Sequence, residues 1–275
     1  MIIKLDQLQF NMVVDDTKLN KGLKPIVFIH GFTGSSNDWN FIYDKLPDTF
    51  LPVAVDLIGH GKSSSPLELD HYTPQAIVSQ LNLIFEYLGF DKIILCGYSM
   101  GGRAALYYAA KYPQKISGLI LESASKGLNN ETEKLERLKN DFILADKIKA
   151  EGLESFIKYW MSIPLFETLK NIPDEKFNAL VKSKLNNSAV GLSNSLRGFS
   201  TGNMNIDLKN FNEYVIPVLF ITGVLDEKFT NINKLFVNEF SNAEHAIVFN
   251  AGHNTHIENE KEYIFYVNKY LKIFL

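Results

Sequence analysis

Apolar and polar positions follow two distinct patterns along this 275-residue chain. Short runs of consecutive apolar residues, bounded by glycine, proline or charged residues, are typical of strands that are buried on both faces of a sheet. Longer segments carry apolar residues at every third or fourth position, as on the buried face of a helix. The first pattern predicts strands at 2–5, 8–14, 25–29, 51–56, 93–96, 116–121, 216–223 and 246–249.

The segment after Thr73 shows the second pattern clearly. Thr73 suits an N-cap, Pro74 suits the first helical position, and Gly89 suits a helix end. Further helices are predicted at 37–46, 104–112, 232–240 and 260–273, and a polar hairpin loop at 15–24. Because strands alternate with helices, we expect an α/β fold with a mostly parallel central sheet, helices on both faces, and functional groups at the carboxyl ends of the strands.

The pattern changes between residues 126 and 205, where helical segments at 129–150, 153–160 and 174–185 follow one another without a convincing strand. We interpret this region as a helical cap inserted between two strands of the core. The predicted organisation is therefore a core of residues 1–125 and 206–275 and a cap of residues 126–205.

Composition narrows the classes of function. The net charge of −3 gives no sign of nucleic acid or of an anionic membrane, and no apolar run reaches the length of a membrane span. The N-terminus lacks the pattern of a signal peptide, and the single Cys96 fits a reducing compartment. Metal-ligand clusters, dinucleotide motifs and phosphate loops are absent from the sequence. We therefore expect a cytoplasmic monomer that needs no metal or cofactor.

The clearest chemical motif is Gly97-Tyr98-Ser99-Met100-Gly101, which stands between a predicted strand and a predicted helix. That context is the one a nucleophile elbow requires, because the two glycines allow strand and helix to approach around a strained turn that exposes the serine. A glycine-rich turn with an idle serine is the alternative. A second glycine-rich loop, residues 30–36, also follows a strand. Backbone N–H groups of Phe32 and Met100 are the expected oxyanion donors.

Two further polar residues follow later strands: Asp226 and His253. The chain order Ser99, Asp226, His253 is one in which serine nucleophile, acid and base occur, and each residue follows a separate strand. His253 would take the serine proton while Asp226 orients the imidazole. His256 is the rival base and Glu122 the rival acid, whereas His60 is expected to be structural.

The sequence resembles the α/β-hydrolase superfamily over its whole length. Within it, the chain is similar to the menaquinone-pathway lyases called 2-succinyl-6-hydroxy-2,4-cyclohexadiene-1-carboxylate synthases. The segments that carry the resemblance are 30–39 (HGFTGSSNDW), 97–103 (GYSMGGR), 121–128 (LESASKGL), 223–229 (GVLDEKF) and 251–254 (AGHN).

The resemblance implies that Ser99, activated by His253, removes a proton from a small tricarboxylate substrate, which then expels pyruvate. It also implies substrate-binding roles for Tyr98, Arg103, Arg137, Trp160 and Lys184. Lys184 stands where some members of the family carry arginine. The chain has three arginines, and the third, Arg197, could serve binding or structure.

Two alternatives to the lyase remain at the level of sequence. A serine carboxylesterase or C–C bond hydrolase would use the same fold and triad, since a fold does not fix the chemistry. A catalytically silent binding protein is disfavoured by the intact triad and both oxyanion loops.

Overall fold

The computed structural model describes residues 1–19 and 21–275. Within these residues eight strands form one sheet with the order β1-β2-β4-β3-β5-β6-β7-β8. The strands are β1 (Ile2–Leu5), β2 (Leu8–Val13), β3 (Lys24–Ile29), β4 (Phe50–Val55), β5 (Ile93–Tyr98), β6 (Ile116–Glu122), β7 (Val218–Gly223) and β8 (Ala243–Val248).

The sheet is parallel from β4 to β8, and only the pairs β1–β2 and β2–β4 are antiparallel. Alternate residues of one strand face opposite sides: Val27 and Ile29 pack in one apolar cluster, Ile26 and Phe28 in another. Both faces are therefore buried, which explains the continuous apolar runs in the sequence. The predicted α/β-hydrolase architecture is confirmed.

Helices cover both faces of the sheet. The core helices are α1 (Pro74–Tyr87), α2 (Met100–Lys111), α6 (Lys209–Asn212), α7 (Glu227–Phe236), α8 (Thr255–Glu258) and α9 (Glu260–Leu271). Thr73 is the N-cap of α1, as predicted, because its hydroxyl accepts the N–H of Ala76 at 3.2 Å.

Three helices lie within residues 126–205, after β6 and before α6: α3 (Glu131–Trp160), α4 (Asp174–Lys184) and α5 (Ala189–Gly198). The backbone of α3 breaks at Gly152, where φ is 83°, so it forms two helical segments as the sequence predicted. Apolar side chains of these helices form a third cluster of their own. The helical region rests on the core through Gly191, whose position leaves no space for a side chain against the backbone of Gly59.

Three local predictions were wrong, and one helix was missed. No hairpin joins β2 to β3 in the described residues, because β2 pairs with β4; Asn20 of that predicted loop lies outside them. Residues 36–42 form a 3₁₀ helix. Helix α7 begins at Glu227, five residues early, because the Asp226 side chain caps it. Helix α5 was not foreseen, since its glycines, serines and asparagine are poor helix formers that tertiary packing overrides.

Two negative findings apply to residues 1–19 and 21–275. No helix there is both long and apolar enough to cross a bilayer. The same residues contain no group of three or more His, Cys, Asp or Glu side chains placed to hold a metal ion.

Candidate active site

Ser99 lies at the tight turn between β5 and α2. Its backbone has φ 51° and ψ −106°, a strained conformation for a residue with a side chain. Glycine is required at 97 and 101, because a Cβ at Gly97 would collide with the backbone of Gly101, and one at Gly101 with that of Ile29. The turn is fixed by the Ser99 N–H, which donates to the Glu122 carbonyl of β6 at 2.8 Å.

The structure brings Ser99, His253 and Asp226 together. His253 Nε2 lies 3.1 Å from Ser99 Oγ, and His253 Nδ1 lies 2.6 Å from Asp226 Oδ2. With the proton on Nδ1, the imidazole donates to Asp226 and its Nε2 accepts from the serine hydroxyl. This is the arrangement in which a histidine acts as a general base toward serine. The ring of Phe229 packs against His253, with 4.6 Å between centroids.

A half-buried carboxylate secures the backbone on either side of His253. Glu258 accepts the N–H of Gly252 at 2.8 Å and that of Asn254 at 3.1 Å. Burial raises the pKa of Glu258, and these backbone hydrogen bonds oppose the rise. Glu258 therefore holds the loop that carries the candidate base.

The rival residues His256 and Glu122 form a separate pair. His256 Nδ1 donates to Glu122 at 2.7 Å, and both side chains are fully buried. Glu122 also accepts the Thr255 hydroxyl at 2.6 Å and the His256 N–H at 3.0 Å. Among the described residues, neither side chain hydrogen-bonds Ser99. The pair instead joins the end of β6 to the loop that carries His253 and His256.

Loop 30–36 lies beside the elbow. Gly31 has no room for a Cβ because the ring of Tyr98 lies against it. His30 ties this loop to the next one: its Nδ1 donates to the Gly31 carbonyl at 2.8 Å and its Nε2 accepts the Leu57 N–H at 3.1 Å. Burial lowers the pKa of His30, consistent with this neutral form. Phe32 thereby takes its place on the wall above Ser99, and Met100 begins α2, where helix N–H groups lack intrahelical acceptors.

A cavity of about 750 Å³ opens above Ser99 between the core and the helical region. It is large enough for a small-molecule ligand. Its wall includes all three triad side chains together with Phe32, Tyr98, Met100, Arg103, Ser123, Arg137, Asp141, Trp160, Phe166, Thr168 and Phe229.

Arg103 and Arg137 both face this cavity. Arg103 follows Ser99 by one turn of α2; its guanidinium donates to the Phe199 carbonyl at 2.8 Å and lies over the Phe199 ring. Across residues 1–19 and 21–275 it has no carboxylate within salt-bridge distance. Burial, together with the nearby positive charge of Arg137, lowers the pKa of Arg103 to about 10. A bound anion would remove this electrostatic cost.

Tyr98 and Trp160 also lie on the wall, as the resemblance implied. The Trp160 ring stands edge-on to Phe32, with 5.2 Å between centroids. Its indole N–H is buried and has no acceptor among the residues that the structure describes. An indole donor in such a position normally finds a partner, so this N–H is available to a ligand.

Lys184 does not line the cavity. It is buried on α4, and burial lowers its pKa while Asp38 opposes the shift. Three residues later, Asn187 donates to the Thr33 carbonyl at 2.8 Å and accepts the Gly61 N–H at 2.9 Å. The segment around Lys184 thus attaches the helical region to loop 30–36. The resemblance matched its position in the sequence but not the side of the helix from which it projects.

Arg197 is also absent from the cavity wall. It pairs with Asp146 and lies over the Phe142 ring, both on α3. Its role is therefore structural, and it offers a natural control for the two cavity arginines.

Several wall residues escaped the sequence analysis. Asp141 holds Arg137 and lies four positions after it, a spacing that brings residues together on a helix and could have indicated the pair. Ser123 follows the end of β6, where polar residues gather in parallel sheets. Phe229 lies in the 223–229 segment that carries the resemblance, but it was assigned no role there. Phe166 carries no signal that distinguishes it from a core aromatic residue.

Comparison with known proteins agrees with the geometry. Residues 24–260 match the family model described as alpha/beta hydrolase fold. A Bacillus subtilis (strain 168) protein, provisionally named 2-succinyl-6-hydroxy-2,4-cyclohexadiene-1-carboxylate synthase, is 39% identical over 90% of this chain and 89% of its own length. An Enterobacter sp. (strain 638) protein of the same name is 30% identical over 86% and 88%.

Solved structures give the same picture. The structure of MenH from S. aureus superposes with a TM-score of 0.87 at 31% identity and covers 96% of this chain and 98% of its own. A thermophilic esterase from Thermogutta terrifontis superposes with a TM-score of 0.84 at 20% identity, covering 99% and 98%, a similarity of fold alone.

Proposed function

The chain belongs to the α/β-hydrolase fold family and, within it, to the family of the 2-succinyl-6-hydroxy-2,4-cyclohexadiene-1-carboxylate synthases, and we propose that it catalyses their reaction in menaquinone biosynthesis. The substrate is 2-succinyl-5-enolpyruvyl-6-hydroxy-3-cyclohexene-1-carboxylate and the products are the cyclohexadiene and pyruvate. The enzyme is thus a carbon–oxygen lyase that needs no cofactor.

The observation that carries this proposal is the largely buried charge of Arg103 on the cavity wall beside Ser99, which has no carboxylate within salt-bridge distance among the described residues. An esterase for neutral substrates has no use for a guanidinium that is desolvated without a carboxylate partner. The substrate supplies three carboxylates. Arg103 and Arg137 each bind one of them, and Trp160 donates its indole N–H to a further oxygen.

The names of substrate and product define the chemistry. The ring double bond lies at C3 in the substrate, whereas the product has double bonds at C2 and C4. A proton therefore leaves C2 and the enolpyruvyl oxygen leaves C5. The C2–H bond is adjacent to the ketone of the succinyl group, so its electron pair can pass onto that ketone oxygen.

The triad performs the proton transfer. Ser99 Oγ takes the C2 proton while its own proton passes to His253 Nε2, and Asp226 stabilises the resulting imidazolium. The N–H groups of Phe32 and Met100 donate to the ketone oxygen as negative charge develops there. The electron pair then moves through the ring and the C5–O bond breaks. The departing enolate is protonated on carbon to become pyruvate, and the His253 imidazolium gives up its extra proton, which restores the starting triad and balances the step.

The same assignment covers the remaining residues. Tyr98 forms the apolar floor of the cavity. Lys184 does not line the cavity, and the segment that contains it attaches the helical region to loop 30–36 through Asn187. Every group in the mechanism comes from one chain, so we assign the activity to a monomer. Its single cysteine is buried and free, which suits the reducing cytoplasm.

The proposal is tested by pyruvate release in a coupled assay. The preceding enzyme of the pathway generates the substrate in situ, because the substrate decays spontaneously and the background must be subtracted. Wild type is compared with Ser99→Ala, Arg103→Ala and Arg197→Ala. The last variant removes an arginine whose side chain does not line the cavity.

We expect pyruvate release far above background for wild type and Arg197→Ala, and a loss of at least 100-fold in kcat/KM for Ser99→Ala and Arg103→Ala. A wild-type rate equal to background would overturn the lyase assignment. Rapid turnover of short-chain esters by that same preparation, with an acyl-serine intermediate, would then identify a carboxylesterase.

A further inference from the structure

Ser123 is a buried serine in a strained backbone conformation beside the nucleophile. It directly follows β6, and its φ of 47° lies in the left-handed region, which favours glycine. The N–H of Ser123 donates to the Ile221 carbonyl at 2.9 Å, which holds the residue in place. Glycine would adopt this conformation without strain, so the serine side chain carries a cost that the fold does not require.

The hydroxyl of Ser123 adds a second cost. The residue is completely buried, and its Oγ has no hydrogen-bond partner in residues 1–19 or 21–275. Buried polar atoms in folded proteins are nearly always hydrogen-bonded. Ser123 nevertheless lines the cavity above Ser99, so its partner can come from a bound molecule.

Strand register places the two serines side by side. Tyr98 pairs with Glu122 across the parallel strands β5 and β6, so the residues that follow, Ser99 and Ser123, are also neighbours. Strand β3, which leads into loop 30–36, pairs with β5 on the side opposite to β6. A substrate above Ser99 therefore has Phe32 on one side and Ser123 on the other.

We propose that the Ser123 hydroxyl donates a hydrogen bond to a carboxylate oxygen of the substrate, on the side of Ser99 away from loop 30–36. The inference rests on the proposed lyase function and adds a binding residue to it. Ser123 lies in the same wall as Arg103, since Gly102 of α2 packs against Ala124. A neutral donor there complements the arginines without adding further positive charge to their environment.

Two substitutions separate the hydroxyl from the backbone strain. Ser123→Gly removes both, whereas Ser123→Ala removes the hydroxyl and keeps a side chain in the left-handed conformation. Ser193→Ala is the matched control, because the Ser193 hydroxyl is equally buried but donates to the Ala145 carbonyl, away from the cavity. Steady-state pyruvate release gives KM and kcat, and thermal unfolding gives Tm.

We expect KM to rise about tenfold in both Ser123 variants, with kcat changed far less, because a hydrogen bond to a charged group is lost from substrate binding. The Tm of Ser123→Gly should rise by about 2 °C as strain and the unpaired hydroxyl disappear. Ser193→Ala should keep the wild-type KM.

The outcomes separate the role of Ser123 from the proposed function. Wild-type KM in Ser123→Gly would overturn the role and leave the lyase intact, as would a raised KM in Ser123→Gly but not in Ser123→Ala, since backbone conformation would then be responsible. Failure of the wild-type enzyme to release pyruvate would overturn both.

Discussion

Asp141 accepts the Nε–H of Arg137 at 2.9 Å, so a buried carboxylate holds this arginine from behind. The same oxygen accepts the Ser200 hydroxyl at 2.6 Å, which fixes Asp141 in turn. Among the described residues the two terminal nitrogens of Arg137 make no hydrogen bond. The pair therefore presents a preorganised fork to the cavity, suited to bidentate recognition of a carboxylate.

Asp141→Asn should weaken substrate binding through Arg137. We expect KM to rise about five- to tenfold with little change in kcat, because the guanidinium loses its orienting charge but stays in the cavity. Asp146→Asn is the control and should keep the wild-type KM. Asp146 lies on α3, like Asp141, but pairs with Arg197, which does not line the cavity. Equal KM values for the two variants would contradict the orienting role.

Asp226→Asn should abolish the activity without disturbing the fold. Asparagine is as good an N-cap as aspartate, so the hydrogen bond to the Phe229 N–H that begins α7 can persist. The His253 ring, however, loses the acceptor that fixes its proton on Nδ1. We expect kcat to fall about 10⁴-fold at an unchanged melting temperature. Steady-state kinetics and circular dichroism check this, and more than a tenth of wild-type kcat would count against it.

Glu122→Gln should destabilise the protein. Glu122 makes three hydrogen bonds to Thr255 and His256 in a fully buried site, so we expect a loss of about 3 kcal/mol in the free energy of unfolding. Glu239→Gln breaks an exposed ion pair with Lys126 and should cost less than about 1 kcal/mol. Urea denaturation measures both, and equal losses would refute the importance of the buried pair.

The buried residues His30 and His60 should make the free energy of unfolding depend on pH. Burial lowers the pKa of His30 and of His60 below 6.5, and for His60 the neighbouring His30 lowers it further. The unfolded chain takes up these protons as pH falls through 6.5, whereas the folded chain does not. The contribution of these two histidines to the free energy of unfolding is therefore fully present above about pH 6.5. Below that pH it declines by up to about 1.4 kcal/mol per pH unit for each histidine.

The variant His60→Gln should flatten this decline. Denaturation at pH 7.5, 6.5 and 5.5 gives the slope for wild type and variant, and His71→Gln, at a partly exposed position, serves as control. An unchanged slope in His60→Gln would show that His60 does not contribute.

Much of this molecule was predictable because its signals are local. The strands before Ser99 and Asp226 are nearly continuous apolar runs, and β8, which precedes His253, ends in the apolar residues 246–248. The motif that follows each strand predicted a convergence, and the sheet order delivers it. Lys184 shows the limit of sequence resemblance, since a matching position does not determine the direction in which a side chain points. The strain at Ser123 and the packing of Gly191 on Gly59 depend on contacts between distant segments, which no local pattern records.

The insertion of the helical region between β6 and β7 also affects the order in which the protein can be assembled. These neighbouring strands are separated by about 95 residues of chain, so their pairing requires closure of a long loop, which slows folding. During synthesis, the ribosome releases the elbow with Ser99 well before Asp226 and His253 exist. An emerging chain thus carries a nucleophile without its base. It becomes active only when β7 pairs with the open edge of β6 and β8 pairs with β7.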